Sequence, residues 1–261
     1  MTIRRSVLPL ALPLLLSSSA FGSEPGKFDR TLTVSGPVSL DVKSGPGGIH
    51  ISVGSTDAVV VHAVIRSAFG RVDLGLAEAN IRSLEQNPPV EQSGNTIRIG
   101  YVTDPAVLKG VSVTYDIETP RATQVHASAD AGGIRIDGVQ GPVVTDNDAG
   151  HSEVSGVKGS LKMTAHSGGI VARDIGDNIF VRNASGGIQV QSAGKAVDAE
   201  TSSGRIEISQ VAGDVRSNTH SASIRLDHVN GTVNAQNTSG SIEAFLLGGP
   251  ITAETTSGAI R

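Results

Sequence analysis

Three aspartates near the start of a repeated region are the residues best placed to act together on a ligand. Asp130 and Asp148 are 18 residues apart and occupy the same position in two adjacent repeats, and Asp146 precedes Asp148 by two residues. Two carboxylates about 5 to 9.5 Å apart can cleave a glycosidic bond, and a group of carboxylates can bind calcium through hard oxygen ligands. Aspartate close to glycine is also a common turn residue. We therefore expect neither a metal site nor a catalytic carboxylate pair here.

Histidine and serine side chains suggest two further kinds of chemistry. His166 and His220 share one repeat position but lie three repeats apart, so no two histidines of the repeats stack as ligands for a transition metal. A column of serines could supply a nucleophile, although hydroxyls at turns more often bond the backbone. This column comprises Ser203, Ser221, Ser239 and Ser257. The sequence thus predicts no catalytic, cofactor-binding or metal-ligating residues, and no cofactor.

The structural elements that position these side chains recur every 18 residues along the sequence. From Val125 the chain divides without a gap into units such as VDAETSSGRIEISQVAGD, seven complete and one partial. The first position is always Val, Leu or Ile, and the tenth is Ile in every unit except at Ser152. Apolar residues alternate within each unit, which is typical of strands with one buried face. Each unit is therefore predicted to form two short strands and two turns.

A glycine at the eighth position indicates a tight corner that recurs in every unit except at Ala222. Glycine is favoured where the backbone is left-handed or is approached closely by another segment. The predicted structural turn glycines are Gly132, Gly150, Gly168, Gly186, Gly204, Gly240 and Gly258. An 18-residue unit cannot bury its apolar face alone, so it must stack on its neighbours. The predicted fold is an all-β parallel β-solenoid, or β-helix.

The region before Val125 is predicted to begin the solenoid and to cap it. LDVKSGPGGIHISV, from Leu40, has the repeat spacing, whereas residues 58–119 combine three strand-like stretches with one short helix that ends before Pro88. Arrays of repeats need atypical ends, because an exposed first unit would offer its strand edges to other chains. We expect a signal peptide at 1–22, an N-terminal capping region at 23–124 and the repeat solenoid at 125–261.

Composition and the N-terminal segment predict export. Arg4 and Arg5 precede an apolar run over 7–16 and small residues at Ala20 and Gly22, which is the pattern of a cleaved secretory signal. Without those two arginines the chain has 19 basic and 25 acidic residues, so nothing favours nucleic acid. It has no cysteine and, after cleavage, no candidate membrane span. The expected location is the periplasm, the cell surface or the medium, and the export route, general or twin-arginine, stays open.

The order of these features resembles a known family. The signal segment, GPGGIHISV, the helix-bearing insert, VTYDIETPRATQVHASADAGGIRIDGVQG and the serial SGxI units together resemble the bacterial "putative adhesin" family, domain of unknown function 4097. The resemblance covers roughly residues 32–261. It implies an envelope or surface β-solenoid that binds a partner, and it supplies no catalytic residues to transfer.

The function expected from these features is a non-catalytic binding or scaffolding module of the cell envelope. Its partner is an envelope protein or a glycan, and an outward column could contact it: Arg135, Glu153, Gln189, Glu207, Arg225 and Glu243. A carbohydrate-active β-helix enzyme and a self-assembling structural envelope protein are the alternatives. The partial last unit offers a candidate interaction edge at Ile251 and Ile260, through which the chain could self-associate.

Overall fold

The computed structural model describes residues 25–68 and 74–261, with only the backbone of Leu74. The predicted signal peptide at 1–22 lies outside this part of the chain. The strands, numbered β1 to β22 in chain order, are Gly26–Thr33, Val38–Ser44, Ile49–Val53, Ala58–Ser67, Val90–Ser93, Thr96–Ile99, Val111–Thr119, Thr123–Ala131, Ile134–Asp137, Val143–Ala149, Ser152–Ser155, Leu161–Ser167, Ile170–Ile175, Ile179–Ser185, Ile188–Ala193, Val197–Ser203, Ile206–Val211, Val215–Ser221, Ile224–Val229, Val233–Ser239, Ile242–Leu247 and Ile251–Ser257. An α-helix, α1, spans Leu74–Gln86, and a 3-10 helix spans Pro105–Leu108.

The predicted β-solenoid is confirmed, and its pairing register equals the repeat length. Each strand of the repeat region pairs in parallel with the strand 18 residues away, so that Val197 lies beside Val215 and Ile206 beside Ile224. Each turn of the solenoid, called a rung below, contributes one strand to each of two sheets. The first sheet has the order β1-β4-β7-β3-β9-β11-β13-β15-β17-β19-β21. The second has the order β22-β20-β18-β16-β14-β12-β10-β8-β2-β6-β5.

The core lies between the two sheets and is built from small and β-branched side chains. In one representative rung, Val197, Ala199 and Thr201 point inward from the second sheet, and Ile206 and Ile208 point inward from the first. A left-handed residue then interrupts the alternation, so that the residue after it also points inward. This role is taken by Gly138 and Gly156 in the first two repeats and later by Asp174, Ser192, Gln210, His228 and Leu246, whose φ values lie between 51° and 65°.

The segment from Leu40 forms the rung that precedes the first repeat. β2 pairs with β8, which places Leu40 beside Val125, and β3 pairs with β9, which places Ile49 beside Ile134. The insert then extends both sheets beyond this rung: β7 and β4 extend the first sheet, and β6 and β5 extend the second. Helix α1 contacts β1, β4 and β7. Its side chains Ala77, Ile81 and Leu84 are buried, as the helical spacing predicts.

The turn glycines lie where one rung approaches the next. A Cβ atom placed on any of the seven predicted glycines would come within 2.3 Å of the carbonyl oxygen of the same position in the preceding rung. Five of them also have a positive φ, but Gly132 and Gly204 do not. At Gly204 the reason for glycine is therefore the approach of the Gly186 carbonyl and not a left-handed backbone.

Buried polar side chains at the fifth repeat position hold the same corners together. Asn183 Nδ2 donates to the Gly168 carbonyl oxygen at 2.8 Å, and Thr201 Oγ1 donates to that of Gly186 at 3.3 Å. Asn147, Thr219, Asn237 and Thr255 make the equivalent bond in their rungs. Carbonyl groups buried at a corner would be costly without a partner. These six side chains each link their rung to the one before it by a hydrogen bond, whereas Ala129 and Ala165 at the same position cannot.

Candidate functional site

The candidate site is a column of side chains on the outer face of the first sheet. The register confirms that the six residues predicted as a column are aligned, with Val171 between Glu153 and Gln189. It also extends the column through the N-terminal strands, where Arg135 lies beside His50, His50 beside Asp116, Asp116 beside His62 and His62 beside Asp29. The resulting charge column consists of Asp29, His62, Asp116, His50, Arg135, Glu153, Val171, Gln189, Glu207, Arg225 and Glu243. It crosses all eleven strands of the sheet.

Neighbouring members of the charge column form ion pairs. Arg135 Nη2 lies 2.6 Å from Glu153 Oε2, and Arg225 Nη1 lies 3.2 Å from Glu243 Oε2. At the N-terminal end, His50 Nδ1 lies 3.1 Å from an oxygen of Asp116. No two acidic side chains are adjacent in the column, because a histidine, arginine or neutral residue separates each pair. Along the solenoid axis the column therefore presents acidic side chains separated by arginines or histidines, with the uncharged Val171 and Gln189 in its middle.

Two open hollows lie beside the charge column. The larger, of about 390 Å³, is lined by Ile49 and Ile134, the first residues of β3 and β9, together with His50, Arg135 and Glu153 of the column. His151 and Thr114 complete its polar lining. The smaller, of about 260 Å³, has the equivalent place three rungs further on. The column and the hollows together form a surface with charged, polar and apolar parts, as ligand-binding surfaces generally have.

Two glycines in these hollows, Gly133 and Gly187, are not required by the fold. A Cβ atom on Gly133 would meet no atom closer than 3.5 Å, and one on Gly187 none closer than 3.6 Å. Other rungs have a side chain at the same repeat position, namely His151, Arg205 and Ser223. The backbone at Gly133 and Gly187 is open because the side chain is absent, in contrast to the crowded corner at Gly204.

The structure does not bring the three aspartates together as one site. Asp146 pairs with His126, the closest atoms being 3.2 Å apart, and Asp148 pairs with His166 at 3.4 Å. Asp146 and Asp148 thus each have a histidine of a neighbouring rung as partner, whereas Asp130 has no ion pair among the described residues. Among residues 25–68 and 74–261, no group of three or more His, Asp or Glu side chains is arranged to hold a metal ion.

The remaining predicted positions lie at corners and at the last rung. The serine column is exposed, and its backbone carbonyls accept hydrogen bonds from the eighth position of the preceding rung, as Ser203 does from Gly186 at 2.9 Å. Ile251 and Ile260 are 43% and 49% exposed. Ile260 also bridges to Ile242. No helix in the described residues is long and apolar enough to cross a bilayer.

A second charged cluster lies on the second sheet at the N-terminal end. Tyr101 donates its hydroxyl to Asp41 at 2.8 Å, and the Arg98 guanidinium lies 3.9 Å from the centre of the Tyr101 ring. Partial burial and then the hydrogen bond to Asp41 raise the pKa of Tyr101. His126 also contacts Asp41, at 3.2 Å. This cluster joins β2, β6 and β8 on their outer face.

Sequence reasoning missed Asp29, His62, Asp116 and His50 as members of the charge column. They lie before the regular repeats, and two of the strands that carry them, β1 and β4, pair in antiparallel fashion. The repeat spacing of LDVKSGPGGIHISV does place His50 at the position of Arg135, but for Asp29, His62 and Asp116 the repeat period contains no information about alignment. The only other sequence signal was the alternation of apolar and polar residues in AVVVHAVIRS and VTYDIET, which shows that these side chains face outward.

Comparisons with known proteins find similar architectures at low sequence identity. The sequence matches no protein-family model and no curated protein, so the family label is not confirmed. A solved "putative adhesin" from Bacteroides fragilis shares 13% identity over 90% of this chain and 96% of its own, with a TM-score of 0.47. A "putative lipid binding protein" from Parabacteroides distasonis shares 16% over 92% and 98%, with a TM-score of 0.48. A "putative adhesin" from Parabacteroides merdae shares 9% over 92% and 98%, with a TM-score of 0.31.

Proposed function

We propose that the chain is a non-catalytic, adhesin-like binding module of the bacterial cell envelope, and that it contacts its partner through the charge column and the hollows beside it. The observation that supports this most is the length of the column, which crosses eleven neighbouring strands. Strands in a sheet are about 4.8 Å apart, so on both sides of the uncharged Val171 and Gln189 the column offers a partner charged and polar side chains at a regular spacing. Such a pattern gives specificity and fast association with a partner of complementary charge.

Stability alone does not account for the charge column. Arg135 and Arg225 are each more than half exposed. Ion pairs of this kind contribute about 0 to 1 kcal/mol, because water screens them and the side chains lose entropy. The apolar core and the backbone ladders already hold the rungs together. An extended row of charges with little effect on stability is better explained by recognition of a partner.

The proposed location is the periplasm or the cell surface, reached through the predicted signal segment. The partner class is an envelope protein or a glycan. A carbohydrate-active β-helix enzyme is less well supported, because Asp146 and Asp148 are each paired with a histidine on an open face. A self-assembling structural protein remains the other alternative, and the exposed Ile251 and Ile260 are the residues through which it would assemble.

Removal of the column's charges tests this function. A variant with Arg135→Gln, Glu153→Gln, Arg225→Gln and Glu243→Gln replaces two basic and two acidic side chains by neutral polar ones, so the net charge is unchanged. Residues 25–261 of the native chain and of this variant are immobilised and exposed to solubilised envelope from the source bacterium. We expect the native chain to retain a defined set of molecules that the variant loses, and the retention to weaken as salt is raised.

A second variant controls for general loss of surface charge. Asp146→Asn, Asp148→Asn, Lys158→Gln and Lys162→Gln remove two acidic and two basic side chains away from the charge column, and this variant should retain the same molecules as the native chain. Circular dichroism melting checks that all three proteins are folded. If the column variant and the native chain retain identical sets, the charge column is not the binding surface.

A further inference from the structure

A separate hollow lies on the second sheet, around the side chain of Phe180. It has a volume of about 380 Å³, within the range of roughly 300 to 1,000 Å³ that is usual for ligand pockets. It is called the Phe180 hollow below. It extends along the solenoid axis beside the corner at which the strands of the second sheet begin. Asn178, Ala196, Asp214 and Thr232, one from each of four successive rungs, lie along it. At about 4.8 Å per rung, these four rungs span about 14 Å.

The Phe180 ring is held in place and is partly open to solvent. The Arg182 guanidinium lies 4.0 Å from the ring centre, and Arg182 is itself fixed by Asp198, with contacts of 3.0 and 3.3 Å. The ring is 37% exposed and lines the hollow. Large exposed aromatic side chains are rare in this chain, which has 3% aromatic residues. An oriented aromatic ring beside a hollow is a platform on which an apolar surface of a ligand can pack.

Hydrogen-bonding groups surround this platform and are not all used. Asn178 Oδ1 accepts from the Ala196 backbone at 3.2 Å, and Asp214 Oδ1 accepts from the Thr232 backbone at 2.7 Å. These bonds orient the two side chains. The Asn178 Nδ2 and Asp214 Oδ2 atoms have no hydrogen bond within the part of the chain that the structure describes. They are therefore free to donate to and accept from a ligand.

Arg216 adds a cation that no carboxylate of the described residues neutralises. It stands next to Asp198 in the strand register, but Asp198 is paired with Arg182. Arg216 forms no ion pair with any residue in the described ranges. The Phe180 hollow thus combines an aromatic ring and an apolar floor with unused donors and acceptors. Its unpaired charges, on Arg216 and Asp214, are one positive and one negative.

We propose that the Phe180 hollow binds an extended, uncharged oligosaccharide. Sugar rings offer apolar C–H surfaces that pack on an aromatic ring, and hydroxyl groups that both donate and accept hydrogen bonds. The balance of charge in the hollow favours a neutral sugar over an acidic one, since a carboxylate beside Arg216 would also lie near Asp214. The four-rung length favours a chain of sugars over a monosaccharide. This site lies on the other sheet from the charge column and goes beyond the proposed function.

Nuclear magnetic resonance titration of the isotope-labelled chain, residues 25–261, tests the proposal. The probes are cellohexaose, chitohexaose and maltohexaose, which are neutral hexasaccharides with different linkages or substituents. We expect at least one to shift the backbone amide signals of 178–180, 196–198 and 214–216 in a saturable way. Phe180→Ala should weaken that binding about tenfold or more, because the packing surface for the sugar ring is lost.

Phe245→Ala is the matched control. Phe245 is 41% exposed and also lies against an arginine, Arg225, but it belongs to the first sheet. Its replacement should leave the sugar affinity unchanged within about twofold, whereas equal weakening by both variants would overturn the assignment. So would the absence of binding by all three hexasaccharides, or shifts located elsewhere.

Two further probes separate the ligand classes. Binding of oligogalacturonate alone would identify an acidic sugar site, and binding of octanoate alone would identify a site for an apolar chain. Either result would overturn the assignment of a neutral oligosaccharide. The four-fold glutamine variant of the charge column should bind the hexasaccharide as the native chain does, so failure of the proposed function leaves this test valid.

Discussion

Replacement of Gly204 by valine should disrupt the stacking of two rungs. A Cβ atom on Gly204 would lie 2.0 Å from the carbonyl oxygen of Gly186, whereas ordinary contacts begin at about 3.4 Å. The two backbones must therefore separate by about 1.4 Å. Ala222 shows that a corner can hold a methyl group, at the unusual φ of 154°. Valine adds two branches for which that adjustment provides no room.

The cost follows from the hydrogen bonds that cross this corner. Gly186 N donates to Ser203 O and Ile188 N donates to Arg205 O, both at 2.9 Å, and a separation of 1.4 Å would break both. Each bond contributes about 0.5 to 1.5 kcal/mol, and the crowding itself costs about 1 to 3 kcal/mol. Valine restricts the unfolded chain, which offsets less than about 1 kcal/mol. We expect a net loss of about 3 kcal/mol in the free energy of unfolding.

Thermal melting and hydrogen exchange measure this loss. For a chain of this size about 3 kcal/mol lowers the melting temperature by on the order of 10 °C. Because repeat proteins can unfold in parts, amide exchange should also show lost protection in the rungs on both sides of Gly204. Gly187→Val is the control, since its Cβ atom would meet nothing closer than 3.6 Å. A melting temperature for Gly204→Val within 2 °C of the native value, with unchanged exchange, would refute the reasoning.

Three other changes have defined outcomes. Asn183→Ala leaves the Gly168 carbonyl without its side-chain donor and should cost about 1 to 3 kcal/mol in urea unfolding. Burial raises the pKa of Tyr115, so the folded state resists ionisation of the phenol. Stability should be complete below pH about 10, the pKa in the unfolded chain, and fall above it, and less steeply in Tyr115→Phe. If the exposed Ile251 and Ile260 mediate self-association, light scattering should show mass rising with concentration in the native chain and not in the Ile251→Lys, Ile260→Lys variant.

Control variants accompany the first two of these changes. Gln191→Ala, on an exposed side chain, should leave urea unfolding unchanged, and an equal cost for both variants would contradict the role of Asn183. Tyr101→Phe should change the alkaline profile less than Tyr115→Phe, because Tyr101 is more exposed. A monomer at all concentrations would exclude association through Ile251 and Ile260.

The solenoid and its inward-facing residues could be predicted from the sequence because stacking is a local repetition. Each residue pairs with the one 18 positions away, so the repeat length read from the sequence is also the pairing register. Alternation of apolar residues then identifies Ile206 and Ile208 as core. The alignment of Arg135 with Glu153 follows from the same period.

Contacts that do not follow the 18-residue repeat could not be predicted from the sequence and were determined only by the tertiary structure. Antiparallel pairing of β1, β4 and β7 extends the charge column to Asp29, and its register follows from which face each strand buries against the helix and the core. The different roles of Gly187 and Gly204, neighbouring repeat positions with the same residue type, depend on whether a carbonyl of the adjacent rung approaches closely. The Phe180 hollow is lined by four successive rungs that have different residue types at the same repeat position, so the period alone does not predict it. Periodicity determines which residues share a column, but the distances between side chains across columns and corners arise only when the chain is packed.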